Sequence, residues 1–297
     1  MDKYYCWACD FSNRTGEGNL ARLFIKKSYL QNYQIFTTSN IKFLKYKYLS
    51  PLIGILFCWY LFIKRKKVVY LNYLPLWNCL LFIFLPPKTI LGPITGGAYY
   101  KNKSFLRKFF FPLAYKISEF FLNLRNTKIY FSTELLKKYL SKSTVRKSKF
   151  NFILNYYKKK INNRKEIDFL IYYRIHENKK TFFPHNFIKK LISLNFKIHI
   201  IGDYYDNALV VNHGFLNNAN VNKLLSKTFY SVASGENIYS LFTMECINNN
   251  VKVLIDNKEK NKINLFKKSF ITFNFRNLID YNKLRTINNK KYYFLAK

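Results

Sequence analysis

The chain has 297 residues, of which 49% are hydrophobic and 20% aromatic, a composition that supports a sizeable core and argues against general disorder. It carries 51 Lys and Arg against 15 Asp and Glu, a formal net charge of +36. Such a charge favours a polyanionic partner, either an anionic membrane face or a nucleic acid. The basic residues are spread along the chain rather than clustered, which favours the membrane. A codon bias toward Lys, Asn, Ile, Tyr and Phe would also explain them.

The five cysteines are an odd number and lie mostly inside apolar runs, which favours buried thiols in a reducing compartment. Cys6 and Cys9 form the sequence CWAC, which resembles half of a redox or zinc site. No second CxxC follows, so we expect neither a metal nor a cofactor. The chain opens with MDKYYCWACD, which lacks the basic and long apolar regions of a signal peptide.

The most apolar segment is PLIGILFCWYLFI, from Pro51 to Ile63, and the basic residues KRKK follow it. It is shorter than the roughly 20 residues that a membrane-spanning helix needs. Three interpretations remain open: a buried core helix, an interfacial helix with its basic flank on lipid headgroups, and a true span.

In chain order, the first half alternates strand and helix patterns. Lys3 to Asp10 predicts a strand, DFSNRTGEGN a glycine-bearing loop, LARLFIKKSYL a helix and YQIFTT a second strand. The Pro51 helix leads into the strand KKVVYLNYL, and the apolar run LWNCLLFIFL ends at two prolines. KTILGPITGG predicts a strand that breaks into a loop. Ser104 to Leu124 predicts a long helix, KIYFS a strand, and TELLKKYL a helix capped by Ser132 or Thr133.

Residues 141 to 166 are charged and predict an interdomain connection that contains one strand, NFILNYY. Beyond it we expect strands at IDFLIYY, FKIHIIGD, TFYSVAS, VKVLID, INLFKK and SFITFNF, helices at FFPHNFIKKLISLN, NVNKLLSK and YSLFTMECINNN, and a loop at ALVVNHG. Alternating strands and helices are typical of parallel βαβ units. The sequence therefore predicts an α/β fold with two domains, 1–150 and 151–297.

The segment SGENIYSLFTMECINNNVKVLID, residues 234–256, places Glu236 and Glu245 on either side of an apolar helix pattern. The helix follows a strand, so it should start at the carboxyl end of a parallel sheet, where ligands bind in open α/β folds. Free N–H groups from Ser240 to Phe242, together with the helix dipole, would accept a phosphate. The two acids would then contact sugar or ribose hydroxyls. Alternatively, Glu236 caps the helix and Glu245 lies on a solvated face.

Two other segments offer groups for the same kind of ligand. Arg174 and the pair Lys179 and Lys180 follow the strand IDFLIYY, and cations at the carboxyl end of a sheet can clamp a diphosphate. An ordinary basic loop is the alternative. In RTGEGN, Gly16 and Gly18 flank Glu17 and would permit close approach of a ligand to the backbone.

The remaining candidates are weaker. His199 is expected in the core or at an edge of the sheet, and His176 and His213 in loops near the site. Tyr239 could stack on a nucleotide base. The chain has no GxGxxG fingerprint and no P-loop, so neither the dinucleotide-binding nor the nucleoside-triphosphatase class is favoured.

Taken together, the glycine loop, the Arg and Lys segment and the Glu-flanked helix with its VKVLI strand resemble a GT-B glycosyltransferase, close to glycosyltransferase family 4 (group 1). The resemblance covers most of the chain and is strongest from Ile167 to Asp256. It implies two Rossmann-like domains that face each other across a cleft, the N-terminal one for the acceptor and the C-terminal one for a nucleotide-sugar. LGPITGG resembles a GP-x-GG loop of some relatives and implies acceptor-side roles for Pro93, Gly96 and Gly97.

The resemblance also implies roles for single residues. Arg174 with Lys179 or Lys180 would neutralise the donor diphosphate, and Glu236 would act at the donor sugar. The two acids lie nine positions apart, one more than in the family, so Asn237 competes with Glu236 for the contact with the sugar. The donor-binding set would be completed by Gly16, Glu17, Gly18, Ser240, Leu241 and Glu245.

The function implied is the transfer of a sugar from a nucleotide-diphospho-sugar to a glycan or lipid-linked sugar, in surface polysaccharide synthesis. The resemblance implies a retaining reaction, and the cationic site implies one that needs no metal. The place expected for it is cytoplasmic and peripheral, at the anionic inner face of the cell membrane. The alternative is a non-catalytic binding or scaffold protein on a decayed GT-B fold, and nucleic-acid binding is not favoured.

Overall fold

The computed structural model describes residues 3–13, 15–28, 30–38, 49–96, 105–125, 127–154, 156–157, 164–175, 183–235 and 237–276. The chain divides into two compact units, Met1–Asn155 and Tyr156–Lys297, close to the boundary expected at 150/151. Each unit is built on a parallel sheet with helices. The predicted α/β class with two Rossmann-like units is confirmed, whereas the assignment of acceptor and donor to them stays a prediction.

The first unit carries a parallel sheet in the order β2-β1-β3-β4, and β5 pairs in parallel with β6. A bridge from Ile94 to Phe131 joins the chain after β4 to the chain after β5. Its elements are β1 (Tyr4–Trp7), α1 (Gly16–Ser28), β2 (Tyr33–Phe36), α2 (Ser50–Ile63), β3 (Lys67–Tyr70), α3 (Cys79–Phe84), β4 (Ile90–Leu91), α4 (Phe105–Leu124), β5 (Ile129–Tyr130), α5 (Lys142–Lys147) and β6 (Ser148–Lys149).

The central strands of this unit are buried on both faces, which is why YYCW and KVVY carry apolar residues at successive positions. Cys6 and Val69 point to one face, where Phe24 of α1 covers them. Trp7 and Tyr70 point to the other face, which is covered by α2, α3 and α4. Among the described elements, the sheet of this unit therefore lies between α1 on one face and α2, α3 and α4 on the other.

The second unit has a six-stranded sheet in the order β12-β11-β10-β7-β8-β9, and its described pairings are all parallel. Its first strand is central, with the next two strands on one side and the last three on the other. Its elements are β7 (Ile167–Tyr173), α6 (His185–Ser193), β8 (Ile198–Gly202), β9 (Val210–Asn212), α7 (Asn218–Ser226), β10 (Thr228–Val232), α8 (Leu241–Asn248), β11 (Lys252–Asp256) and β12 (Phe270–Phe273).

Two predictions around the unit boundary are wrong. TELLKKYL forms a 3₁₀ turn, Lys137–Tyr139, rather than an α-helix, because Ser141 is already extended and caps α5 by accepting the N–H of Thr144. NFILNYY is not a strand, since Asn151 is left-handed at φ 55° and its carbonyl accepts the N–H of Leu154. Helix α5 and strand β6 lie where the sequence predicts a connection.

Three further predictions need correction. The segment predicted as the loop ALVVNHG contains strand β9, which pairs with β8 at the edge of the sheet. INLFKK is not a strand, because Phe266 is left-handed at φ 52° and starts a 3₁₀ turn. The glycine-bearing loop is shorter than predicted, since α1 already begins at Gly16.

Helix α2 contains the Pro51–Ile63 segment, for which a buried core helix, an interfacial helix and a membrane span were left open. Gly54, Ile55, Cys58 and Leu61 are buried against the sheet, as expected of a core helix, while its opposite face is exposed. Of the helices in the described ranges, none combines the length and the apolarity required to traverse a lipid bilayer.

Gly202, the last residue of β8, lies where the ends of β7 and β8 approach each other closely. It adopts φ +106°, and a Cβ atom there would lie 2.2 Å from the carbonyl oxygen of Tyr173. We expect Gly202→Ala to lower the free energy of unfolding by about 1–3 kcal/mol, because the backbone must shift or be strained. Urea denaturation followed by circular dichroism measures this change.

Gly16→Ala is the matched control, because a Cβ atom there meets nothing within 4 Å. Alanine is also the better helix former, so the stability of this variant should be unchanged or slightly higher. Equal losses in the two variants would contradict the packing described for Gly202.

Candidate functional site

The chain crosses from one side of β7 to the other when it enters β10. Strands β8 and β9 lie on one side of β7, and β10, β11 and β12 on the other. At such a switch point the connections that leave the two strands diverge, and open α/β sheets bind their ligands there. Arg174 follows β7 directly, and α8 follows β10. Two of the groups predicted to bind a diphosphate, the Arg174 side chain and the start of α8, therefore flank the switch point.

Arg174 is held by three neighbours at the carboxyl end of β7. Its Nε lies 3.4 Å from Oδ2 of Asp203, and its Nη1 donates to the hydroxyl of Tyr172 at 3.1 Å. Its guanidinium carbon lies 5.1 Å from the centroid of the Phe215 ring. Burial lowers the pKa of Arg174, but the hydrogen bonds and charges of Tyr172 and Asp203 raise it by more, so the net shift is upward. The guanidinium therefore stays charged, in an orientation set by its neighbours.

Tyr172 connects Arg174 to the first turn of α8. The centroid of its ring lies 5.7 Å from that of Phe242, the second residue of the helix. Ser240 caps this helix, because its hydroxyl accepts the N–H of Thr243 at 3.1 Å. Helical geometry leaves the N–H groups of Leu241 and Phe242 without an intrahelical acceptor. A fixed cation and the positive end of a helix dipole thus share one aromatic neighbour.

The loop between β10 and α8 is folded onto its own chain. Oδ1 of Asn237 accepts the N–H of Tyr239 at 3.2 Å, and the carbonyl of Gly235 accepts Nζ of Lys262 at 2.9 Å. Tyr239 is buried, and its hydroxyl donates to the carbonyl of Leu265 at 2.9 Å. Tyr239 is therefore part of the core rather than an exposed platform for a base. The contact of Asn237 with a sugar stays a prediction.

Glu245 lies one turn into α8, where Tyr157 binds it. The pKa of Tyr157 is raised by burial and then by the charge of Glu245 and the hydrogen bond to it. The backbone N–H of Tyr157 also donates to Oδ1 of Asn248 at 3.1 Å. The carboxylate is half-buried and engaged by its own chain, so the solvated face named as the alternative is not what the structure shows. A contact with ribose stays a prediction, and it requires Tyr157 to yield.

The first unit has the corresponding switch point between β1 and β3, and its own polar groups fill it. The side-chain amide of Asn72 donates to the carbonyl of Glu17 at 2.9 Å and accepts the N–H of Asp10 at 3.3 Å. A Cβ atom on Gly18 would lie 2.0 Å from the carbonyl oxygen of Ser12. The lack of a side chain at Gly18 is thus explained by close packing inside the unit, whereas Gly16 faces open space.

Glu17 lies in the first turn of α1 with part of its carboxyl group withdrawn from solvent. Its Oε2 is inaccessible and has no hydrogen-bond partner among the residues that the structure describes. Burial, and then the charge of Asp10, raise the pKa of Glu17 to about 7, against a smaller lowering by the N–H of Tyr73. Two carboxyl groups near the start of α1 make this helix end less suited to a phosphate than the start of α8.

Of the acceptor-side candidates, the structure describes Pro93 and Gly96. Pro93 is buried, and a Cβ atom on Gly96 would lie 2.9 Å from Cδ1 of Leu136. Some candidates lie outside the described residues, and their roles stay predictions: Gly97, His176, Lys179, Lys180 and Glu236.

His199 of β8 and His213, which directly follows β9, form a pair. Nδ1 of His199 lies 2.8 Å from Nε2 of His213. Burial lowers the pKa of both, and the charges of His213 and Lys197 help to bring that of His199 to about 4. His199 was expected in the core or at an edge of the sheet, and it is buried. Within the described ranges, no group of three or more His, Cys, Asp or Glu side chains could hold a metal ion.

Sequence patterns did not reveal the three neighbours of Arg174, which are Asp203, Tyr172 and Phe215. Asp203 ends the segment FKIHIIGD, and a signal was present there, because adjacent parallel strands end at the same edge of a sheet. Tyr172 could not be singled out among 25 tyrosines without the packing.

No protein-family model and no curated protein matches the chain. Among solved structures, it is similar to the UDP-GlcNAc 2-epimerase of Methanocaldococcus jannaschii in complex with UDP-GlcNAc and UDP, at 12% identity and a TM-score of 0.49 over 97% of this chain and 92% of that chain. It is also similar to E. coli heptosyltransferase WaaC with ADP-2-deoxy-2-fluoro heptose, at 9% identity and a TM-score of 0.33 over 92% of this chain and 93% of that chain. Likenesses of this size do not assign a family, so membership of family 4 stays a prediction.

Glu17 should make stability depend on pH. Its pKa rises from the ordinary 4.5 to about 7 on folding, so between these values the folded state holds a proton that the unfolded state has released. Stability then falls as the pH rises from about 4.5 to about 7. We expect Glu17→Gln to remove this fall and to be more stable than the wild type at pH 8. Unfolding midpoints in urea across this range measure it, and parallel pH profiles of the two proteins would contradict the burial of the carboxyl group.

His199 should act in the opposite direction. Its pKa falls from the ordinary 6.5 to about 4 on folding, so the unfolded state binds a proton that the folded state does not. Stability therefore drops as the pH falls from about 6.5 to about 4. In His199→Asn the drop should be smaller. Thermal unfolding of the wild type and of the variant at a series of pH values tests this prediction. Subtracting one stability curve from the other removes the contribution of the carboxylates, which the two proteins share. A stability difference that does not vary with pH would contradict the lowered pKa of His199.

Proposed function

We propose that the second unit binds the diphosphate of a nucleotide-diphospho-sugar and that the protein is a glycosyltransferase. The observation that carries this proposal is the shared contact of Tyr172 with the Arg174 guanidinium and with Phe242 in the first turn of α8. It joins the two elements best suited to hold a diphosphate at the point in the sheet where ligands bind.

The charges at this point favour a doubly anionic group. Arg174 presents a planar set of N–H donors that matches phosphate oxygens, and its side chain is 39% exposed, so a ligand can reach it. Asp203 orients the guanidinium and neutralises part of its charge. The N–H groups and dipole at the start of α8 supply the remaining attraction, and Lys179 and Lys180 would add to it.

The proposed reaction breaks the bond between the anomeric carbon and the diphosphate oxygen, and both bonding electrons leave with the nucleoside diphosphate. An acceptor hydroxyl forms the new bond to the anomeric carbon, and its proton goes to the departing phosphate. Arg174 and the start of α8 would stabilise the negative charge that develops on the leaving group. Such stabilisation increases as the bond breaks, so it lowers the barrier rather than only tightening binding.

The finer parts of the proposal rest on the sequence resemblance. Glu236 or Asn237 would contact the donor sugar, and Glu245 the ribose once Tyr157 yields. The first unit would receive a glycan or a lipid-linked sugar, as in surface polysaccharide synthesis. Retention at the anomeric carbon, independence of metal ions, and a cytoplasmic place at the inner face of the cell membrane belong to the same proposal.

Titration calorimetry with UDP, ADP and the corresponding monophosphates and nucleosides tests the donor site. We expect diphosphates to bind more tightly than monophosphates, and nucleosides to bind weakly. Arg174→Ala should weaken diphosphate binding about tenfold to a hundredfold, because a hydrogen bond to a charged group contributes about 1.5–3 kcal/mol. Arg164→Ala is the matched control, since this exposed arginine precedes β7 and so lies at the opposite end of the strand.

Wild-type diphosphate affinity in a folded Arg174→Ala variant would exclude the proposed site. Release of nucleoside diphosphate from a panel of nucleotide-sugars then separates an enzyme from a binding protein. Diphosphate binding without any release, with and without acceptor glycans, would favour the scaffold alternative.

A further inference from the structure

Helices α2, α3 and α4 carry a second apolar stripe on the side away from the sheet. On α2 the exposed positions recur at helical spacing, opposite the buried Ile55, Cys58 and Leu61. On α4 they lie opposite the buried Ala114, Tyr115 and Leu122. We call the exposed residues of this three-helix surface the apolar face: Leu52, Leu56, Trp59, Tyr60, Ile63, Trp77, Leu80, Phe84, Phe109, Phe110, Leu113, Phe120 and Leu124.

The three helices pack side by side, so their stripes form one surface. The indole N–H of Trp59 in α2 donates to the carbonyl of Phe84 in α3 at 2.7 Å. Arg125, at the end of α4, donates to the carbonyls of Leu85 and Pro86 at 2.7 and 2.6 Å. The ring of Trp77 stacks on that of Phe111 at 5.6 Å. The first two sets of contacts bring the carboxyl ends of the three helices together, and the Trp77–Phe111 contact joins the segment before α3 to the first half of α4.

The exposure on this surface is large. Leu56 is 69% exposed, Ile63 75%, Phe120 60% and Leu124 63%. Scattered apolar side chains of this kind are normal on soluble proteins, but a contiguous surface across three helices marks an interaction site.

The charge around the apolar face has one sign. The sequence has no Asp or Glu between Glu17 and Glu119, and Glu119 is itself buried and hydrogen-bonded to Ser141. Exposed cations follow the helix ends or interrupt the stripe: Lys64, Arg65, Lys66, Lys88, Lys116 and Lys128. The partner must therefore offer an apolar phase bordered by negative charge.

We propose that the apolar face docks on an anionic lipid bilayer, with the side chains of α2, α3 and α4 in the acyl boundary and the cations of the helix ends on lipid phosphates. An anionic bilayer supplies both an apolar phase and negative headgroups. Trp59, Tyr60 and Trp77 are residue types that favour the membrane–water interface. The proposal does not depend on the chemistry proposed for the second unit.

A second copy of the chain fits this surface less well. A symmetric dimer places the same patch on both subunits, so it would bring two sets of cations together without any carboxylate to pair with them. Helix α2, at 14 residues, is about 21 Å long, which suits a helix lying in the interface better than one crossing a hydrocarbon core of about 30 Å.

Flotation of the full chain with vesicles tests the proposal, using phosphatidylcholine alone and phosphatidylcholine mixed with phosphatidylglycerol at low salt. We expect the wild type to float with the anionic vesicles. Leu56→Ser with Ile63→Ser should weaken this binding by roughly tenfold or more, because the apolar burial of two side chains is lost. The matched control is Tyr204→Ser with Leu209→Ser, which removes side chains of similar exposure, 67% and 70%, from the second unit and should leave binding unchanged.

Lys64→Gln, Arg65→Gln and Lys66→Gln together should weaken binding to anionic vesicles by roughly a hundredfold at low salt. Circular dichroism and thermal unfolding verify that each variant is folded, and these exposed positions do not contribute to the core. Failure of the wild type to float with anionic vesicles would overturn the proposal. So would wild-type flotation of the Leu56 and Ile63 variant, or a dimer in sedimentation analysis that this variant dissociates.

Discussion

In each unit the first strand lies between the next strand of the chain on one side and a later strand on the other. The rest of the structure depends on this central placement. Strand β1 pairs with both β2 and β3, and β7 with both β8 and β10. A central strand is buried on both faces, so it needs a continuous apolar sequence and helices above and below. The connections that follow the central strand and the later strand beside it run in opposite directions. This divergence creates the switch point in each unit.

Equal topology leads to different chemistry at the two switch points. In the first unit, the side-chain amide of Asn72 forms hydrogen bonds with the backbone of Asp10 and Glu17, so the chain's own groups occupy this position. In the second unit, Arg174 and the first turn of α8 are both in contact with Tyr172. The few acidic residues of this basic chain act mainly on their own neighbours: Asp203 orients Arg174, and Glu245 binds Tyr157.

Sequence patterns predict the elements that depend on long apolar runs and miss those that depend on one residue or on a partner. The strand IDFLIYY and the Pro51 helix are recognisable, because burial of such elements requires many apolar positions. The strand predicted at NFILNYY fails because Asn151 turns left-handed, which no hydrophobic period reveals. At the site, the position of Arg174 after a strand is predictable, whereas its contact with Asp203 exists only because β7 pairs with β8.

The pairing of β7 with β10 has a consequence for how the second unit can assemble. Ile167 faces Thr228, and even the nearer partner strand brings Phe169 opposite Ile198. Segments this far apart lose chain entropy on meeting before any ladder of hydrogen bonds compensates for it. We therefore expect the middle of the sheet to become ordered only when the strands on both sides of β7 are present.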